Sequence, residues 1–351
     1  MKMHDFAVLI DSYNLVCQNP SGGIKIRIEN YVEQINKKIK VKLFDKWKDK
    51  VIDFQVVHIF KSSSESYTLL KYCKANHIPV VVSSVVPAEK RFAILMCHLI
   101  GTVLPVYPDR YLNELVLKGA DAICAQTEKE KDFICNTYKI SSDKIFVIPN
   151  GVSLNEFTYS GDYFYEKTGI KDGFVLQVGR FDSNKNQLNV IRALKDTDIP
   201  VVFIGGADKN DPDYFSLCKN EANENMHFLG WVEHNDPLLQ AAYHSAHTVI
   251  LPSHKEIFGN SLMEGGFCGA NLIASKALPI EEWGLDQYCR KVDASDVRDI
   301  REVIIEAQKT DKSFEVSNFI KNTFSWDAVT DQYIDVYRKV IKCNAGDIHC
   351  E

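Results

Sequence analysis

The sequence predicts an α/β protein built from two successive doubly wound units. Three observations carry that expectation. Strand-sized apolar runs alternate with longer amphipathic stretches, the alternation starts afresh after an aperiodic segment at 151–173, and 351 residues suffice for two domains of ordinary size. Several runs are apolar almost throughout, as strands covered on both faces of a parallel sheet must be.

In the first series, Phe6–Ile10, Phe54–Phe60, Ile78–Ser84, Ala120–Ala125 and Lys144–Ile148 read as strands. Tyr31, Val32, Ile35 and Ile39 give Glu29–Lys38 a helical period, and Leu69, Leu70 and Cys73 do the same for Ser66–Ala75. The segment 151–173, rich in Gly, Ser, Asn and Tyr, reads as a linker. In the second series the strands are Phe174–Val178, Pro200–Ile204, His227–Leu229, Thr248–Leu251 and Asn271–Ala274. Helices between and after them are Gln187–Leu194, Pro237–Ser245, Ser261–Cys268 and Val297–Ala307. Ser325 then caps a last helix carrying Val329, Tyr333, Val336, Tyr337 and Val340. The expected boundaries are a first domain at 1–155, a second at 156–325, a closing helix at 326–342 and a tail at 343–351.

Composition excludes several classes. With 45% hydrophobic and 25% charged residues the chain is neither disordered nor fibrous, and a formal charge of −6 argues against nucleic acid as a partner. The apolar run Phe6–Ile10 is too short for a signal peptide and no run approaches the length of a membrane span, so a cytoplasmic protein is expected. Ten scattered cysteines form no Cys-x-x-Cys pair and read as free thiols, with no metal site. Asp211-Pro212-Asp213 reads as a solvated turn, and His244 and His247 as ordinary core or surface histidines. Seven lysines between Lys37 and Lys50, interleaved with Leu43, Phe44 and Trp47, offer a peripheral contact to an anionic membrane or a phosphorylated acceptor; the plainer alternative is a solvated face.

Three strand–loop–helix junctions could carry chemistry. Pro252 to Glu264 follows an apolar strand and opens a helix, whose unpaired amides suit phosphate. Its Glu256 and Glu264 are acceptors suited to sugar and ribose hydroxyls, although Ser261-x-x-Glu264 also fits a capping box. Gly179-Arg180 with Lys185 supplies a forked donor and a compact cation for a diphosphate. Gly22-Gly23 lets backbone approach a phosphate. No Gly-x-Gly-x-x-Gly loop is present, which disfavours a hydride-transfer enzyme.

Taken together, these elements resemble the retaining glycosyltransferases of family 4. Those enzymes carry two Glu separated by seven residues in a unit that starts Pro-Ser, here Glu256 and Glu264 after Pro252-Ser253, and an upstream G-R-x4-K, here Gly179, Arg180 and Lys185. Ile148-Pro149-Asn150-Gly151-Val152 and His227-Phe228-Leu229-Gly230-Trp231 are further matches, and the likeness is fullest over 120–342. The resemblance implies the GT-B architecture, two Rossmann-like domains facing each other across a cleft. The first would bind the acceptor and the second a nucleotide sugar, with the closing helix crossing back to the first.

By the same resemblance, Arg180 and Lys185 would hold the diphosphate and Glu256 the donor sugar, these three forming the catalytic set. Glu264 would take the ribose, Gly179 and the amides of Phe258, Gly259, Asn260 and Ser261 the phosphates, and the backbone near Val232 the base. Gly22 and Gly23 would close over the phosphates. One departure stands out: Val85 occupies the slot where the family often has a His after a first-domain strand. The expected activity is metal-independent, retaining hexosyl transfer from a UDP- or GDP-linked donor to a saccharide or lipid-linked acceptor. It needs no cofactor and would serve cell-surface polysaccharide or lipid-linked saccharide synthesis at the inner face of the membrane. A nucleotide-sugar epimerase on the same fold and a non-catalytic, glycosyltransferase-like binding subunit are the alternatives.

Overall fold

A computed structural model describes residues 6–12, 23–60, 64–84, 91–104, 107–152 and 161–346. The chain divides into two compact units, Met1–Gly151 with Trp326–Glu351, and Val152–Ser325.

The first unit is a six-stranded, wholly parallel sheet. It is built from β1 (Ala7–Ser12), β2 (Lys40–Leu43), β3 (Val56–Phe60), β4 (Val80–Ser83), β5 (Ala122–Ala125) and β6 (Ile145–Val147) in the order β2-β1-β3-β4-β5-β6. Its helices are α1 (Gly23–Ile35), α2 (Ser64–Ala75), α3 (Arg91–Val103), α4 (Asp109–Gly119) and α5 (Glu128–Tyr138). Strands β3, β4 and β5 are buried at every position, as their unbroken apolar runs require. Two apolar layers cover the sheet, one under α1 and the chain's last helix, the other under α2, α4 and α5.

The lysine-rich stretch follows the plainer reading, a solvated face: six of its seven lysines are exposed. Lys40–Leu43 is edge strand β2, with Val41 its one buried residue. Lys38 pairs with Asp327 and Asp331, Lys42 with Asp49, Lys46 with Glu65 and Lys48 with Asp45, so four of the seven lysines are neutralised by acids. Alternating Lys and apolar residues on a sheet edge hinder edge-to-edge pairing.

Asp11, near the carboxyl end of β1, is buried, and burial pushes its carboxyl up to about 6 despite the pull of Lys46 and a bond from Ser66. The folded chain therefore binds this proton more tightly than the unfolded one, so the stability tied to it is present below pH 4 and lost as pH rises through 6. Asp11→Asn is expected to stabilise the protein at pH 7, on the order of 2 kcal/mol, and to change little at pH 4. Denaturant titrations at the two pH values check this; an equal difference at both would refute it.

The second unit repeats the plan. Strands β7 (Val175–Val178), β8 (Val201–Ile204), β9 (Met226–Phe228), β10 (Thr248–Leu251), β11 (Asn271–Ser275) and β12 (Cys289–Val292) form a parallel sheet in the order β12-β11-β10-β7-β8-β9. Helices α6 (Gly161–Thr168), α7 (Gln187–Leu194), α8 (Pro212–Glu221), α9 (Pro237–Ser245), α10 (Asn260–Phe267), α11 (Val297–Ala307) and α12 (Phe314–Phe324) flank it, and α13 (Trp326–Asn344) closes the chain within the first unit. The stretch read as an aperiodic linker thus contains α6, which seats Phe164 against Phe174 in the core of the second unit.

Helix α13 is tied to the first sheet by polar groups as well as apolar ones. His58 bonds to Tyr337 through Nδ1 (2.5 Å) and to Ser83 through Nε2 (2.9 Å). Tyr337 also contacts the Tyr31 hydroxyl, and Arg27 donates to Tyr333 at 2.8 Å. Burial holds His58 well below its usual range, so it stays neutral in the folded chain.

Candidate functional site

In the second sheet the chain order reverses between β7 and β10, which lie side by side. In open doubly wound sheets the crevice outside the carboxyl ends at such a point is where ligands bind. Both charged sequence motifs leave the sheet there: Gly179–Lys185 follows β7 and Pro252–Gly259 follows β10.

Asn184 stitches the two loops together. Its side chain donates to the Lys255 carbonyl (3.0 Å) and accepts from the Lys255 amide (3.0 Å), while its carbonyl accepts from the His254 amide (2.9 Å). The next residue on each strand of this clamp is a charged one. Lys185 Nζ lies 2.6 Å from Glu256 Oε1, with side chains only 23% and 14% exposed. The Gln177 side chain holds the Lys185 carbonyl at 2.8 Å, and Asn186 reaches the Pro252 and Ala294 carbonyls. The two loops therefore form one hydrogen-bonded unit.

Arg180 sits at the open side of this unit, its side chain 58% exposed. Its Nε meets Asp182 at 3.1 Å and Asp208 at 3.2 Å. Asp208 arrives because the loops after β7 and β8 pair: Phe181 and Gly206 share a bond of 2.8 Å, and the Asp208 amide donates to Phe181 at 3.1 Å. Gly179 donates to Ile204, and Gly205 to Gly230, so the loops after β7, β8 and β9 are joined in sequence.

Helix α10 supplies the amide end of the site. Its cap is Gly259, which has no side chain to bond the first-turn amides. This overturns the capping-box reading of Ser261 and Glu264. Gly259 already occupies the cap, so Ser261 lies inside the helix, two positions too late for the role. Phe258 and Gly259 are fixed by packing: Phe258 meets Trp283 edge-on at 5.6 Å, and Gly259 backs on Leu251. Glu264 is buried, and burial lifts its carboxyl above the usual carboxylate range against the opposing pull of His234, whose Nδ1 lies 3.7 Å away. Val232 packs half-buried on the core, and Trp231 donates to Glu233 at 3.1 Å.

The structure thus brings Gly179, Arg180, Lys185, Glu256, Phe258, Gly259, Asn260 and Ser261 to the carboxyl ends of β7 and β10. Glu264 lies one turn into α10 and Val232 beyond β9. Gly23 starts α1 in the first unit; Gly22 and Val85 lie outside the described residues. His98 sits on α3, paired with Glu114 at 3.0 Å. Sequence reasoning missed Asn184, Asp208 and His234. The only signal for Asn184 was its place next to Lys185; the others follow from loop pairing that no local pattern announces. Asp211-Pro212-Asp213 is the start of α8, and His247 falls beyond the end of α9. Among the described residues no three His, Cys, Asp or Glu side chains gather as metal ligands.

Two family models match, Glycosyltransferase Family 4 over residues 33–156 and Glycosyl transferases group 1 over 164–323. An uncharacterised glycosyltransferase of Methanocaldococcus jannaschii is 26% identical over 241 residues, 59% of this chain and 57% of that one. The N-acetylgalactosamine-N,N'-diacetylbacillosaminyl-diphospho-undecaprenol 4-alpha-N-acetylgalactosaminyltransferase of Campylobacter jejuni is 26% identical over 185 residues, 51% and 48% of the two chains. The chain thus spans about half the length of these relatives. The Anabaena protein HepE, solved in complex with UDP and glucose, shares the fold with a TM-score of 0.70 at 13% identity, over 95% of this chain and 100% of that one.

Proposed function

The chain belongs to the family 4 glycosyltransferases, and we propose that it moves a sugar from a nucleoside diphosphate to an acceptor hydroxyl with retention at the anomeric carbon. The observation that carries this reading is the Lys185–Glu256 pair at the crevice between β7 and β10, beside the glycine-capped start of α10. The donor diphosphate lies against the α10 amides, where unpaired N–H groups and the helix dipole favour an anion. Arg180 turns from its two aspartates to phosphate oxygens, for which its planar fork is the better match. Glu256 accepts from hydroxyls of the donor sugar while Lys185 stays beside it. Glu264 accepts from the ribose and the backbone at Val232 borders the base.

In the reaction the bond from the anomeric carbon to the diphosphate breaks and a bond to the acceptor oxygen forms on the same face. The acceptor proton passes to the departing phosphate oxygen. Lys185 and Arg180 stabilise the charge that grows on the diphosphate, which is where fixed donors have most effect. They do so without a divalent ion. A UDP- or GDP-linked hexose is the donor class, in keeping with the UDP and glucose bound by a protein of the same fold. A lipid-linked saccharide at the inner face of the membrane is the acceptor class, in keeping with the diphospho-undecaprenol acceptor in the Campylobacter relative's name.

A thermal-shift panel of UDP, GDP and ADP and their sugars tests the donor. A ligand at a hundredfold excess over its Kd stabilises by about 2.7 kcal/mol, which in a unit of this size raises Tm by roughly 5–11 °C. One base is expected to give that shift. No shift with any nucleotide would sink the reading.

A further inference from the structure

Arg180 and Lys185 are the cations for the diphosphate, yet three carboxylates contact them. Asp182 and Asp208 lie on Arg180 Nε, and Glu256 lies on Lys185. Glu256 has a use in the donor reading, since it accepts from sugar hydroxyls. The two aspartates have no such use, and both stand against the anion that the arginine holds. Their own backbone bonds do not account for the charge. Asp182 Oδ1 accepts from the Lys185 amide at 2.8 Å. Asp208 Oδ1 accepts from the Asn210 amide at 2.9 Å and from the Asn210 side chain at 3.2 Å. An asparagine at either position would accept the same amide bond with a neutral oxygen.

Those bonds anchor both carboxylates independently of Arg180. The Asp208 backbone is fixed as well: its amide donates to the Phe181 carbonyl and its carbonyl accepts from the Asp211 amide, both at 3.1 Å. Each aspartate side chain is 13% exposed, against 58% for Arg180. The guanidinium is therefore the member with room to turn. When it turns to phosphate, the carboxylates stay in place, each without its counter-charge and beside a bound anion. What that costs depends on the charge of the ligand. In a nucleotide sugar each of the two phosphates carries one negative charge. After transfer the terminal phosphate has taken the acceptor proton, and with a second pKa of about 6 it gives that proton to water at pH 7. The product then carries one negative charge more than the donor, and fixed carboxylates repel it more strongly. Unpaired like charge set against a competitor is a general source of selectivity.

We propose, resting on the donor reading above, that Asp208 with Asp182 sets the selectivity between donor and product: the fixed carboxylates disfavour the spent nucleoside diphosphate relative to the nucleotide sugar and hasten its release. Asp208 thereby has two tasks. It seats the Nε of Arg180 in the empty site, and it opposes the extra charge once the sugar has gone.

The test is titration calorimetry of the full chain with UDP and UDP-glucose, or with GDP and GDP-mannose where guanine gives the thermal shift. Asp208→Asn keeps the acceptor for the Asn210 amide and removes the charge. It should lower the Kd of the diphosphate about five- to tenfold and that of the sugar conjugate less than about threefold. Asp182→Asn keeps the bond to the Lys185 amide and should act with the same sign. Asp213→Asn, in the exposed first turn of α8, changes the net charge equally and touches neither cation. It should move neither Kd more than about twofold, because an exposed charge is screened. Equal tightening of both ligands by Asp208→Asn overturns the proposal. So does weaker binding of both, since Asp208 then only seats Arg180, and so do unchanged values in the Asp208 and Asp182 variants. A wild type that binds neither nucleotide removes the donor reading itself, which separates the two failures. Melting without ligand shows that each variant folds, and the two aspartates are independent tests.

Discussion

Lys185→Ala should lower kcat roughly ten- to a hundredfold, the loss expected when a charge-assisted bond worth about 1.5–3 kcal/mol is removed from a transition state. The geometry makes this the largest single effect in the site. Lys185 Nζ is 2.6 Å from Glu256 and mostly shielded from water, so its field is weakly screened. Removing it takes a cation from the leaving diphosphate and also leaves the Glu256 carboxylate without its partner. Lys185→Arg is not a rescue, because a planar fork does not fit the place of a compact ammonium held beside one oxygen. Glu256→Gln keeps an acceptor for sugar hydroxyls but removes the charge, and the double variant should lose less than the sum of the two singles. Steady-state kinetics of the cycle decide it. Near-normal kcat in Lys185→Ala would remove Lys185 from the reaction. Asn184→Ala adds a discriminating arm: it leaves both charges in place and removes the two side-chain bonds that register them. If position matters as much as charge, kcat falls there too, with nucleotide affinity held within a few-fold.

Which parts of the molecule were legible beforehand follows from how local their causes are. The strand Thr248–Leu251 and the helices Gln187–Leu194, Pro237–Ser245 and Val297–Ala307 stand where the residues placed them, because each is a dense apolar pattern, and two of the helices also carry side-chain caps. Asp236 and Asp296, for example, accept from the first-turn amides of α9 and α11. Two of the four edge strands were lost. In β2 and β12 only one or two of four residues are buried, so polar residues dominate and the apolar run disappears. Helix α3, an apolar stretch broken by His98 and Thr102, was not read from the sequence either.

The site divides in the same way. Glycine, cations and the two glutamates could be read from spacing, because a loop between a strand and a helix is a local object. What holds them was not readable. Asn184 reaches a loop 71 residues away, and Asp208 reaches Arg180 through the pairing of neighbouring loops. Such contacts depend on strand order, and strand order is a property of the whole sheet.

Gly205 shows how strongly that order bears on the site, and its substitution is expected to be the most destabilising of those argued here. It has a φ of +152°, and a Cβ at this position would stand 2.0 Å from the Gly179 carbonyl oxygen. That neighbour is backbone and cannot swing aside as a flexible side chain could. Gly205→Ala therefore has to separate the loops after β7 and β8, breaking the bond from Gly179 to Ile204 or that from Gly205 to Gly230. Overpacking and an unfavourable φ together cost about 3 kcal/mol, which in a unit of this size lowers Tm by roughly 6–12 °C. The chemistry should suffer beyond the stability. Arg180 follows Gly179 directly, and its partner Asp208 stands three residues after Gly205, so the shift moves both the cation and the group that orients it. Below its Tm, Gly205→Ala should thus show reduced kcat and weaker nucleotide binding, whereas Gly206→Ala, whose Cβ finds nothing closer than 3.8 Å, should retain both. Scanning calorimetry and nucleotide titration of the two alanine variants separate the outcomes. Equal behaviour of the pair would mean that the loops have room to part, and that their close approach does not position the site.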